Sequence, residues 1–140
     1  MKVFLDTNVY IAEALLGGAA ESMLVATTRA SWRIFVSDYL LDEVESVLTD
    51  TLGFSTRLAR LTRRRCQRRA VRVRESSSRH EVPVDPADSP ILRAAVVAGV
   101  DYLVSNDRHL LELDPYEGVR IISMSAYFEL LTNEGLLSQT

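Results

Sequence analysis

Asp6, Asp88 and Asp107 are spread over the whole chain, yet each stands where an apolar or extended run gives way to a helix signal. The first ends the stretch "KVFLDTN", the third ends "DYLVSND", and the second lies in "VPVDPADSP" ahead of the apolar "ILRAAVVAGV". One reading is local punctuation, because Asp, Ser, Thr and Asn all serve as helix N-caps. Asp85 and Asp88 around Pro86 would suit a capping-box-like start. The other reading is a carboxylate site. Acids brought together from distant segments repel and raise one another's pKa values, unless a cation neutralises them. Oxygen ligands with no local cluster of His or Cys suit a hard divalent ion, Mg²⁺ or Mn²⁺. More acids follow Ser37, namely Asp38, Asp42, Glu43, Glu45 and Asp50. At about 100° per residue, Glu43 and Glu45 flank the apolar face of that helix while Asp42 points away, so spacing leaves these two open.

The elements that must position these acids alternate. "KVFL", "RIFV", "YLV" and "EGVRIIS" read as strands, and "EVPV" as an extended approach to the central helix. A helix runs from the DTN stretch to about Leu16 and stops at Gly17-Gly18, and "AAESMLVATTRA" forms a second. Ser37 is the N-cap of a third, with Leu40, Leu41, Val44, Val47, Leu48 and Leu52 on one face and Gly53 at its end. "FSTRLARLTRRRCQRRAVR" reads as a helix with a thin apolar face of Phe54, Leu58 and Leu61, after which Arg65 takes over the stripe. The polar "SSSRHE" is a loop, "RHLLEL" a short helix, and "SAYFELLTNEG" a closing helix. Such alternation predicts an α/β fold, a three-layer α/β/α sandwich around a mostly parallel sheet, in a single domain over residues 1–140. Open parallel sheets bind ligands beyond the carboxyl ends of their strands, which is where all three Asp residues would fall.

Bulk properties narrow the class. A chain 47% hydrophobic and 25% charged is ordinary for a globular domain and excludes a disordered or fibrous one. No apolar run approaches the ~20 residues that span a bilayer, so no membrane partner is expected. With only Lys2 before a very short apolar stretch, the first residues are not expected to be a signal peptide. Cys66 is the single cysteine, which rules out an intrachain disulfide and a Cys-rich zinc site and suits a reducing cytoplasm. The net charge of -3 conceals a segregation: ten arginines and one acid, Glu75, lie between Arg57 and Arg79, giving that span +9 and the remainder -12.

The ordered set "FLDTNVYIAEALLG", "SDYLLDEVESVL", "DPADSPILRAAVVAGVDYLVSND" and "LLEL…VRIISMSAYFELL" resembles PIN-domain ribonucleases, and within them the toxin half of prokaryotic toxin–antitoxin pairs of the VapC type. The resemblance implies a PIN-like α/β/α sandwich and metal-dependent endonucleolytic cleavage of RNA. It carries over Asp6, Glu43, Asp88 and Asp107 as the catalytic and metal-holding acids, and so selects Glu43 over Glu45. Thr7, Asn8, Ser105 and Asn106 would then hydrogen-bond the acids or their waters. His109 stands where many relatives carry a further acid.

The resemblance also implies a cognate antitoxin as partner, and relatives commonly form homodimers. Arg57, Arg60, Arg64, Arg65, Arg68 and Arg72 would contact RNA, antitoxin or both, since a guanidinium fork suits phosphate and carboxylate alike. Two alternatives compete. A non-catalytic RNA- or protein-binding module with a degenerate PIN site is one. A haloacid-dehalogenase-like phosphatase is the weaker, because Asn8 stands where that family needs a second Asp.

Overall fold

A computed structural model of the chain describes residues 1–74 and 89–137. Five strands, β1 (Lys2–Leu5), β2 (Arg33–Val36), β3 (Ala70–Arg72), β4 (Tyr102–Val104) and β5 (Arg120–Ile122), form one sheet in the order β3-β2-β1-β4-β5. Every pairing is parallel; Phe4 stands beside Phe35 and Leu103, and Leu5 beside Val104. The three central strands carry apolar residues almost without interruption, as a sheet covered on both faces requires. Val3, Phe4, Ile34, Val36, Leu103 and Val104 are all essentially buried.

Among the described residues seven α-helices cover the sheet: α1 (Thr7–Leu16), α2 (Gly18–Arg29), α3 (Asp38–Ser46), α4 (Thr56–Arg68), α5 (Ser89–Ala98), α6 (Arg108–Leu111) and α7 (Met124–Asn133). The result is the α/β/α arrangement that the alternation predicts. Gly17 caps α1 at φ 62° and donates to the Glu13 carbonyl at 3.0 Å, so that α2 leaves at a sharp angle. Ser37 caps α3 as expected, its hydroxyl accepting from the Leu40 amide at 3.2 Å. The last turn beyond α3, Val47–Thr51, widens to π-helical geometry before Gly53 turns the chain.

Two expectations need correction on the segment after Gly53. The arginine-rich run does not continue as a helix: α4 stops at Arg68, and Ala70–Arg72 pair with Ile34–Val36 as the edge strand β3. Nor is the buried face of α4 the Phe54–Leu58–Leu61 stripe. Ala59 and Cys66 are buried while Leu58 and Leu61 are about half exposed. The small side chains of α4 take its buried side, and its leucines face outward.

From β1 the chain winds first to β2 and β3, then crosses back to β4 and β5 on the other side. The strand order reverses between β1 and β4. In open α/β sheets such a reversal is where a crevice forms, beyond the carboxyl ends of those two strands.

Candidate active site

Asp6 follows β1 directly and is 95% buried, with relative exposure of only 5%. Its backbone is extended, which is how an N-cap enters a helix, and Oδ1 accepts from the Thr7 amide at 2.7 Å. Oδ2 accepts from the Ser105 hydroxyl, 2.6 Å away across the β1–β4 crevice. The same Ser105 oxygen accepts from the Asp107 amide at 3.0 Å. One buried hydroxyl therefore joins the ends of two neighbouring strands. Asp6 is thus a helix cap that also bonds across to the strand beside it. Burial pushes its carboxyl above the ordinary range, the Ser105 hydroxyl and Thr7 amide pull it back, and the charges of Glu43 and Asp107 push it up further.

Glu43 is drawn into this group by Thr7, whose hydroxyl donates to Oε1 at 2.5 Å. The other acids of α3 face arginines. Asp38 meets Arg72 Nε at 3.1 Å, and Arg63 Nη1 lies 2.5 Å from Asp42 and 3.6 Å from Glu45. Glu43, turned to a hydroxyl instead, is the exception. Glu43 and Glu45, which spacing alone leaves open, thus have different partners: Thr7 for the first and Arg63, on another helix, for the second.

Asp107 caps α6, its Oδ1 accepting from the amides of His109 at 2.8 Å and Leu110 at 3.2 Å. The His109 Nδ1 is 3.8 Å from that oxygen. Asn106 is turned away from the acids: its Oδ1 accepts from the Met124 amide at 2.9 Å and so ties β4 to the start of α7. Asn8 is exposed, and its side chain makes no hydrogen bond among the described residues. Asp88 lies outside the described residues. Asp6, Glu43 and Asp107 are thus grouped around Thr7 and Ser105 at one edge.

Among the described residues, no three His, Cys, Asp or Glu side chains stand close enough to close on one metal ion. The donor chemistry nevertheless fits a hard divalent cation. The groups are carboxylate oxygens, and Asp6 is a buried acid whose field is made more negative by two further acids. A cation at this edge would relieve the repulsion.

The arginine cluster divides in two. Arg69, Arg65, Arg63 and Arg72 are committed within the chain. Arg69 forks onto Glu13, with Nη1–Oε2 2.7 Å and Nη2–Oε1 2.8 Å, and Arg65 adds a contact of 3.2 Å. Glu13 is buried, and burial alone would weaken the Arg69 cation, but the two Glu13 oxygens hold it charged more firmly than usual. Burial raises the thiol pKa of neighbouring Cys66 against the pull of Arg69. Arg57, Arg60, Arg64 and Arg68 are exposed and make no ion pair among the described residues. Neither the Glu13–Arg69 pair nor the role of Arg63 was foreseen. The one available signal was an acid in the middle of the apolar run "YIAEALL".

The family model of the PIN domain matches residues 2–109. In shape the chain is similar to VapBC2 from Rickettsia felis, whose crystal structure holds a DNA fragment from its promoter. The TM-score is 0.68 at 14% identity, over 88% of this chain and 98% of that one. No curated protein sequence matches the chain.

Proposed function

The chain belongs to the PIN-domain family, and from that premise we propose that it is a metal-dependent endoribonuclease, the VapC-type toxin of a pair neutralised by a cognate antitoxin. The observation that carries the reading is the grouping of Asp6, Glu43 and Asp107 by Thr7 and Ser105 at the β1–β4 crevice. The likeness in fold to a VapBC complex supports the antitoxin by analogy. A cytoplasmic location and a homodimer belong to the same reading.

Asp6 and Asp107 would hold Mg²⁺ or Mn²⁺ together with Asp88, and Glu43 would stand alongside. Such an ion, when bound, supplies a Lewis acid that acidifies water and stabilises charge on the phosphodiester. The chain's own residues do the rest. Ser105 fixes the plane of the Asp6 carboxylate, and the Thr7 amide fixes its other oxygen. The Thr7 hydroxyl engages Oε1 of Glu43, which leaves Oε2 for a cation or for the proton of an attacking water. Burial of Asp6 keeps bulk water from competing for it.

The test is cleavage of single-stranded and structured RNAs with Mg²⁺ or Mn²⁺, against EDTA and Asp6→Asn. Metal-dependent cleavage lost in both controls is expected. A second reading, a non-catalytic binding module, draws on His109 beside Asp107. RNA binding without cleavage in either metal would select it.

A further inference from the structure

A trough of about 1110 Å³ runs along the exposed face of α2, with Phe128, Leu136 and Leu137 on its far side. It is remote from the acids. Helix α1 carries the chain away from Asp6, and α2 ends at Arg29 shortly before β2 starts at Arg33, whose amide donates to the Met1 carbonyl at 2.9 Å. That end of α2 therefore sits at the amino edge of the sheet, whereas Asp6 and Asp107 follow the carboxyl ends of β1 and β4.

Glu21, Val25 and Arg29 line the trough at a regular spacing of four residues. At about 100° per residue they fall within about 80° of one another, and at about 1.5 Å per residue the acid and the cation are about 12 Å apart along the helix. Val25 is 39% exposed. Neither charged residue makes an ion pair among the described residues.

The pattern selects its occupant. A nucleic-acid backbone or an acidic segment would be drawn to Arg29 and repelled at Glu21, and a basic segment the reverse. What fits is a helix with a cation, an apolar residue and an acid in the opposite order at the same spacing. Helix α2 of a second copy, laid antiparallel, is such a helix. Glu21 and Arg29 stand four residues either side of Val25, so a two-fold axis at Val25 sets Glu21 of each copy against Arg29 of the other. An isologous contact requires just this self-complementarity. Phe128, Leu136 and Leu137 give the second helix an apolar wall on its other side.

We propose that the chain pairs with a second copy of itself through α2, antiparallel about Val25, with a Glu21–Arg29 ion pair on each side of the axis. The proposal deepens the homodimer of the preceding reading and rests on it to that extent, but not on the chain being a nuclease. Both groups of acids lie outside the contact.

The experiment is sedimentation equilibrium of the full-length protein in EDTA, with thermal unfolding read alongside. Wild type is compared with Glu21→Arg, Arg29→Glu, Val25→Asp and the exchanged double variant Glu21→Arg/Arg29→Glu. Either single charge change sets like charges opposite each other on both sides of the axis and should weaken the dimer more than about tenfold. Val25→Asp, which places two carboxylates on the axis, should do the same. The double variant restores two pairs of opposite charge in reversed order and should recover most of the loss. Tm should stay near the wild-type value throughout, since all three side chains are exposed. A wild type that stays monomeric, a dimer indifferent to the single changes, or one weakened by them without recovery in the double variant overturns the proposal. Metal-dependent RNA cleavage, measured on the same samples, reports separately. Its absence from a protein whose dimer follows the charge exchange counts against the nuclease reading alone.

Discussion

Asp6 and Glu13 lie seven residues apart, one at the entrance of α1 and one in its body, and both are acids removed from water. Glu13 is answered within the chain by the Arg69 fork and by Arg65. Asp6 is answered by a hydroxyl and an amide, while two further acids face it. A buried charge that is fully paired holds helices together. One that is hydrogen-bonded but not neutralised stores an unmet demand for positive charge, and that is the mark of a site.

The contrast breaks most sharply at Asp6. Asp6→Asn should cut RNA cleavage by at least about 10²-fold, the scale on which one charge-stabilising group matters. It should also raise the Tm of the metal-free protein in calorimetry. Because folding raises the Asp6 pKa, its contribution to stability is fully present below the unfolded value and is lost as pH rises through the folded one. At neutral pH the charge is a burden that Asn removes. An unchanged or lower Tm in EDTA would count against the unneutralised-acid account. Mg²⁺ should raise the wild-type Tm and leave that of Asp6→Asn nearly fixed.

Removing one member of the other pair has the opposite signature. Arg69→Ala, which strands Glu13, should cost about 3–5 kcal/mol in chemical denaturation. The double change Glu13→Leu/Arg69→Met should recover most of that loss, as apolar replacements of buried pairs often do. Failure of the double variant to recover would mean the pair is not simply structural.

Smaller effects sharpen the comparison. Ser105→Ala should weaken metal-dependent activity by about 10–100-fold, the usual cost of losing a group that orients a ligand, with a modest change in Tm. Arg60→Ala, on the exposed face of α4, should alter stability by less than about 0.5 kcal/mol. A larger loss would show that this arginine is not among the uncommitted ones.

Much of the framework was legible because it rests on local signals. Alternating apolar strands and capped helices pointed to the parallel sheet, and strand ends to Asp6 and Asp107. The connection from α4 to β3 was not. Three residues flanked by arginines carry too little apolar pattern to announce a strand, and arginine's helix propensity points the other way. The buried face of α4 was misjudged for a related reason. Leucines outweigh Ala59 and Cys66 in any hydrophobic pattern, yet close helix contact favours the small residues. The Glu13–Arg69 pair spans 56 residues and has no local trace beyond an acid in an apolar helix. Asn8 and Asn106 show the limit of adjacency: among the described residues, neither side chain hydrogen-bonds the acid beside which it stands in sequence.

The arrangement of α3 bears on how an arriving cation finds its place. Helix α3 carries Asp38, Asp42, Glu43 and Glu45 on barely two turns. Arg72 and Arg63 cover all but one. On the proposed reading, guidance would work by subtraction: the other carboxylates of α3 are paired from neighbouring elements, and the one left is the acid that Thr7 holds.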